Sequence, residues 1–220
     1  MVKPRVVETD QGITGEFNTQ AYDQMLRHLR DKGWMETDLL IKEGISSGLA
    51  LEVGPGPGYL GLEWLKKTQG TTLKGLDISE DMVRLAQRNA TAYGLTDRVN
   101  YVKGDARKMP FDDKHFDAVF SNGSLHEWAH PMEILNEMGR VLKPGGRYVI
   151  SDLRRDMNPL MKWFLWINTR PKAMRSGLVS SINASYVLPE AKGLLAKTSL
   201  PGWQATKNFL GIVISGRKPA

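Results

Sequence analysis

The chain has 220 residues, 41% hydrophobic and 25% charged, which is ordinary for a soluble globular protein and enough for a large core without covalent staples. It has no cysteine, which excludes disulfides, thiolate metal sites and a cysteine nucleophile and fits a reducing, cytoplasmic setting. The net charge of +6 is unevenly placed: residues 1–152 hold 19 Lys/Arg against 22 Asp/Glu, a balance of −3, and residues 153–220 hold 11 against 2, a balance of +9.

The opening MVKPRVVETD has no apolar h-region, so no signal peptide is expected. The longest apolar runs are short, such as WFLWI at 163–167, far below the roughly 20 residues of a membrane-spanning helix. Residues 1–17, with Gly12 and Gly15, read as an irregular arm. Asn18 or Thr19 is placed to cap a helix whose apolar positions Tyr22, Leu26 and Leu29 follow helical spacing to about Gly33. A second helix is predicted from Thr37 to Ile45. LALEV at 49–53 then reads as a short buried strand.

A glycine-rich loop follows, then a helix through YLGLEWLKKT stopped by Gly70. TTLKGL is a second strand ending at Asp77, and Ser79 caps a helix that stops at Gly94. RVNYVKGD and FDAVFSN are two more strands. Pro131 sits at the first position of the helix MEILNEMGRVL, and KPGG at 143–146 reads as a turn releasing the strand RYVISD. Strands alternating with helices imply a parallel sheet covered on both faces. Residues 153–200 lose this rhythm and are predicted to be helical, outside the sheet. WQATKNF and IVISGRK, broken at Leu210–Gly211, read as a closing hairpin.

The string G-x-G-x-x-G is present as Gly56, Gly58 and Gly61, with Asp77 at the end of the next strand. A carboxylate there accepts hydrogen bonds from a ribose, so it argues for an adenosine ligand without choosing between a dinucleotide and S-adenosylmethionine. Other residues choose. Glu52 precedes the loop, and a carboxylate beside a helix N-terminus repels a pyrophosphate but suits an ammonium group. Pro55 and Pro57 remove N–H groups that a phosphate would use. Asp105, after the third strand, is placed to take an adenine amino group.

Together L51-E-V-G-P-G-P-G58, G75-L-D-I-S79, G104-D-A106, F116-D-A-V-F-S-N122 and V141-L-K-P-G-G-R-Y-V-I150 resemble the class I S-adenosylmethionine-dependent methyltransferases. The resemblance is to their small-molecule branch, which includes the ubiquinone/menaquinone C-methyltransferases, and it covers residues 49–152. It implies an α/β, Rossmann-like, doubly wound seven-stranded sheet of order 3-2-1-4-5-7-6 with strand 7 antiparallel. N-terminal helices precede it, and a helical insertion comes before the last two strands. Residues 1–220 then form one methyltransferase domain: a helical cap (1–48), a cofactor-binding core (49–152), a helical substrate lobe (153–200) and the closing hairpin (201–220).

The resemblance further implies that Glu52, Gly54, Gly56 and Gly58 line the methionine part of S-adenosylmethionine. Asp77 with Ile78 then takes the ribose, Asp105 with Ala106 the adenine, and Asn122 lies near the sulfonium. Regions outside the core carry the acceptor site in this family, which puts forward Tyr22, Arg154 and Arg155 as acceptor contacts. His126, after the fourth strand, is either a general base or a packed histidine shielding the cofactor. Glu127 beside it is a second, weaker candidate base and reads first as a solvated loop carboxylate. Nothing in the pattern suggests a metal site. The expected acceptor is a small molecule, anionic or presented at an anionic surface, because R154–R175 holds six Lys/Arg, one Asp and three large aromatics. That stretch reads first as a helical lid, then as an anion site or a contact with anionic lipid. No RNA-binding module is recognisable. Two other readings stay open: an NAD-dependent oxidoreductase, and a non-catalytic nucleoside-binding regulatory protein docking through its basic third.

Overall fold

The computed structural model describes residues 4–7 and 13–220, so Gly12 of the expected arm lies outside the described residues. The first two helices are α1 (Glu16–Asp31) and α2 (Thr37–Lys42). The alternating core runs β1 (Leu49–Val53), α3 (Tyr59–Lys67), β2 (Thr72–Asp77), α4 (Glu80–Tyr93), β3 (Val99–Lys103), β4 (Phe116–Asn122), α5 (Pro131–Val141) and β5 (Leu142–Leu153). The lobe is α6 (Pro159–Asn168), α7 (Arg175–Ala184) and α8 (Leu188–Leu195), and β6 (Trp203–Lys207) and β7 (Gly211–Arg217) close the chain.

The seven strands form one sheet of order β3-β2-β1-β4-β5-β7-β6. β1 to β5 pair in parallel, and β7 runs antiparallel to both β5 and β6. This is the expected topology. The strand order reverses between β1 and β4, so a crevice opens at their carboxyl ends.

Alternation along β1 sorts its side chains. Leu51 and Val53 join the cluster under α5 and α8, with Val119, Leu135, Ile150 and Leu195. Ala50 faces the opposite layer with Trp64, Leu65, Phe120 and Val149. Glu52 shares the Ala50 face by the two-residue period and is 2% exposed.

Three boundaries differ from expectation. α1 starts at Glu16 behind Gly15, whose φ of 84° suits glycine, rather than at Asn18 or Thr19; the Thr19 hydroxyl donates to Gly15 O instead. α2 stops at Lys42, short of Ile45, before the positive-φ Gly44. KPGG is no separate turn: β5 starts at Leu142 and carries these residues as an irregularity, with Phe116 opposite Leu142 and then Ala118 opposite Arg147.

The ring of Phe120, fully buried, lies 5.8 Å from that of Trp64 and joins β4 to α3 beneath the crevice. Phe120→Ala is expected to cost about 3–5 kcal/mol of unfolding free energy, read by chemical denaturation.

Candidate functional site

The cleft at the carboxyl edge encloses about 820 Å³, counting space open to solvent. Its walls come from the loop after β1 (Gly54, Gly56), the end of β2 (Leu76, Asp77, Ile78), the loop after β3 (Gly104, Asp105, Ala106) and the loop after β4 (Ser124, Glu127, Trp128). Ile13 and Tyr22 of the N-terminal segment complete it.

Asp77 organises these loops. Its carboxylate accepts from Gly56 N at 3.0 Å and Ser79 N at 2.9 Å, and its carbonyl accepts from Gly104 N at 2.9 Å. Burial raises its pKa, and the N–H groups of Ser79, Gly56 and Ile78 pull it back. Ser79 caps α4 as expected, accepting from Met82 N, and its hydroxyl also donates to Ile13 O at 2.6 Å, fastening the N-terminal segment over the cleft. The glycine loop is needed sterically. Gly54 has φ 69°, and a Cβ there would lie 2.5 Å from Ser124 Oγ; Gly58 has φ 82°, and a Cβ there would lie 2.4 Å from the Tyr101 hydroxyl.

The other candidate residues divide. Ile78, 42% exposed, stands on the cleft wall with Gly54, Gly56, Asp105, Ala106 and Tyr22. The Asp105 carboxylate is gripped by Arg107, at 2.6 Å from Nη2, and this partner holds its pKa down. Glu52, Gly58 and Asn122 are not among the lining residues. Glu52 lies under the loop against α3, where a Cβ on Gly61 would meet its Oε2 at 2.3 Å. Burial pushes the Glu52 pKa up to about 8, against a hydrogen bond from Gly61 N, and its Oε2 has no hydrogen-bond partner among the described residues. Asn122 donates to Glu36 Oε2 and Ser151 Oγ, both at 2.8 Å. Burial raises the Glu36 pKa, opposed by Ser151 and Asn122.

His126 is buried behind the wall. Its Nδ1 lies 2.8 Å from Asp152 Oδ1, and its backbone N donates to Asp152 Oδ2 at 2.6 Å. Its Nε2 is 3.9 Å from Oε1 of Glu127, which does reach the cleft. The Tyr22 hydroxyl feels the same centre: burial raises its pKa most, followed by Glu127, Asp77 and Asp152.

Arg154 and Arg155 do not line the cleft. The chain turns back after β5, so Arg154 pairs with Asp156 at 3.0 Å. Arg155 is buried, donating to Ser185 O and to Glu190 Oε1 at 2.6 Å, and so ties β5 to α8. Ile13, Met82, Ser124 and Glu36 were not singled out in the sequence. They arrive through the folding of distant segments, and no local pattern marks them.

Comparison with known proteins adds to this. Residues 51–150 match the family model described as a methyltransferase domain. The ubiquinone/menaquinone biosynthesis C-methyltransferase UbiE of Cereibacter sphaeroides is 33% identical over 113 residues, 51% of this chain and 45% of that protein. The fatty-acid O-methyltransferase of Mycolicibacterium smegmatis is 39% identical over 105 residues, 47% of this chain and 36% of that protein. The matched segment thus spans less than half the length of either relative. In fold, the chain is similar to the plantazolicin methyltransferase BamL, solved with S-adenosylhomocysteine, with a TM-score of 0.72 at 14% identity, covering 93% of this chain and 92% of that one.

The Glu52 shift predicts a pH signature. A carboxyl group with a folded-state pKa raised above its unfolded value stabilises the fold below the unfolded pKa, and that stability is lost as pH rises through the folded pKa. Unfolding free energy is expected to fall between about pH 4.5 and 8, by an amount on the order of a few kcal/mol. Glu52→Gln, measured by urea denaturation across that window, is expected to flatten the loss and to be more stable than the parent at pH 9.

Proposed function

We propose that the chain is a class I S-adenosylmethionine-dependent methyltransferase, as the methyltransferase-domain match over residues 51–150 supports, and that it methylates a small, apolar acceptor in the cleft at the β1/β4 crevice. The observation that carries this reading is the sign of the site. Asp77, Asp105 and Glu127 stand on its wall beside one guanidinium, Arg107, which grips Asp105; Asp152 and Glu36 lie close behind, where Arg5 is engaged on the His126 carbonyl. Such a field attracts a cationic donor and repels a pyrophosphate, which also speaks against NAD.

The residues present fit that donor. Asp77 offers a carboxylate to hydroxyl groups, Ile78, Leu76 and Ile134 offer apolar wall, and the loop at Gly54 and Gly56 leaves room for close approach. Glu52, its Oε2 unpartnered among the described residues, sets a negative charge under the loop when ionised. When bound, S-adenosylmethionine supplies an electrophilic methyl group on a sulfonium, so the chain's own work is to orient the acceptor, exclude water and accept a proton.

Asp152 fixes the His126 ring, and His126 stands against Glu127 at the cleft. We assign proton acceptance from the acceptor to the Glu127 carboxylate, which becomes the neutral acid, with His126, held by Asp152 and 3.9 Å from Glu127, positioning it. Tyr22, kept protonated by its surroundings, donates a hydrogen bond to the same acceptor from above the glycine loop. An acidic site does not favour an anionic reacting end, and Arg154 and Arg155 are engaged elsewhere. The acceptor's reacting group is therefore a neutral hydroxyl or carbon acid. Two relatives, a ubiquinone/menaquinone biosynthesis C-methyltransferase and a fatty-acid O-methyltransferase, support an acceptor with an apolar body.

The test is transfer of labelled methyl from S-adenosylmethionine to a panel of neutral hydroxyl and carbon-acid acceptors. With the acceptor found, Glu127→Gln and His126→Gln are each expected to lower kcat about 10²- to 10⁴-fold and to remove the acid limb of the pH profile. S-adenosylhomocysteine affinity should stay within about 2-fold, a change of roughly 0.4 kcal/mol. Wild-type kcat in both variants would sink the assignment.

A further inference from the structure

The most apolar helix of the protein is α6, PLMKWFLWIN, and none of its residues is buried. Helices in a folded domain turn their apolar stripe to the core, because that burial is what holds them. α6 does the reverse. Leu160, Trp163 and Phe164, at i, i+3 and i+4 on one face, are 69%, 57% and 39% exposed. Trp34, in the loop between α1 and α2, packs on Phe164 with ring centroids 5.8 Å apart and is itself exposed. On another side, Phe209 at the β6–β7 tip is 82% exposed, and its neighbour Leu210 accepts a backbone hydrogen bond from Arg154 at the root of the lobe. Large apolar side chains thus stand in solvent along the carboxyl edge, the edge on which the cleft opens. An exposed apolar helix face of this kind marks a partner.

Charge identifies the partner. Residues 153–189 hold six Lys/Arg and one acid, Asp156, which is taken by Arg154. Among the described residues no carboxylate pairs with Lys162, Arg170, Lys172 or Arg175. The Arg175 guanidinium lies 4.0 Å over the Trp166 ring, so cation and aromatic are presented together. Two copies joined through this face would bring these cations against each other, so self-association is disfavoured. Apolar and tryptophan side chains ringed by Lys and Arg match the boundary of an anionic bilayer, where indole rings settle at the headgroups and cations meet lipid phosphate. No helix of the described residues is long and apolar enough to cross a membrane, so the contact is peripheral.

We infer that α6, with Trp34 and the Phe209 tip, docks this chain on an anionic lipid bilayer and turns the cleft toward the membrane surface. Its purpose rests on the methyl-transfer reading: a docked enzyme meets an apolar acceptor where that acceptor is dissolved. The docking itself needs no turnover.

The experiment is co-sedimentation of the full chain with vesicles of phosphatidylcholine alone and of phosphatidylcholine with phosphatidylglycerol, at low and high salt. The chain is expected to pellet with the anionic vesicles, and less so at high salt. Leu160→Ser with Trp163→Ser should abolish pelleting. Arg170→Ala with Lys172→Ala should weaken partition roughly 30-fold, at about 1 kcal/mol for each cation near the surface. Both double variants change exposed side chains, and unchanged S-adenosylhomocysteine affinity by calorimetry verifies that they are folded. Equal binding to neutral vesicles, or no binding to either, overturns the inference. So does a dimer, seen by analytical ultracentrifugation, that Leu160→Ser with Trp163→Ser dissolves. None of these results bears on methyl transfer, which the solution assay decides separately.

Discussion

The carboxylate of Asp77 holds the site together. Three loops from three strands meet at the carboxyl edge, and each is tied to this one residue: Gly56 N and Ser79 N to its carboxylate, Gly104 N to its carbonyl. Buried carboxylates are costly unless hydrogen-bonded, so the backbone must keep these N–H groups in place. That requirement fixes the glycine loop and the start of α4, while the backbone carbonyl of the same residue holds the loop after β3. Ser79 extends the same chain of contacts to Ile13, so even the N-terminal segment is positioned from Asp77 outward.

Two electrostatic surfaces grow from this frame, and they have opposite sign. Inside, Asp77, Glu127 and Asp152 act on Tyr22 at the cleft, and Asp152 acts on Glu36 behind it. Outside, the lobe carries the positive excess, with Arg170 and Lys172 exposed on it. The charge split along the sequence is therefore a division between the edge of a site and the outside of a lobe. A cationic donor suits the first, and an anionic surface suits the second.

Much of the fold was legible because it is local. Buried five- to seven-residue strands, the Ser79 cap and Pro131 at a helix start each announce themselves within a few residues. The sheet topology came from the family resemblance that the ordered motifs carry. Two of the misread boundaries come from tertiary context: Gly15 begins α1 while bonded to Asp81 of α4, and KPGG is carried within β5 because the residues on either side of it, Leu142 and Arg147, pair with β4. The site was legible where the chain itself supplies the geometry, at Gly54, Gly56 and Asp77. It was not legible where side-chain direction decides. Glu52 precedes the loop in sequence, but the strand period aims it at α3. Arg155 follows β5 directly, yet it is buried on Glu190, 35 residues away. His126 and Asp152 are 26 residues apart and meet only because β4 and β5 are neighbours.

Calorimetric titration of the chain and of Asp77→Ala with S-adenosylhomocysteine and NAD tests the central claim most directly. The parent should bind S-adenosylhomocysteine and bind NAD far more weakly. Asp77→Ala should lose about 1.5–3 kcal/mol of S-adenosylhomocysteine affinity, the range for a hydrogen bond to a charged group, together with whatever the loosened loops add. Tighter binding of NAD than of S-adenosylhomocysteine, or undiminished S-adenosylhomocysteine affinity in Asp77→Ala, would contradict it.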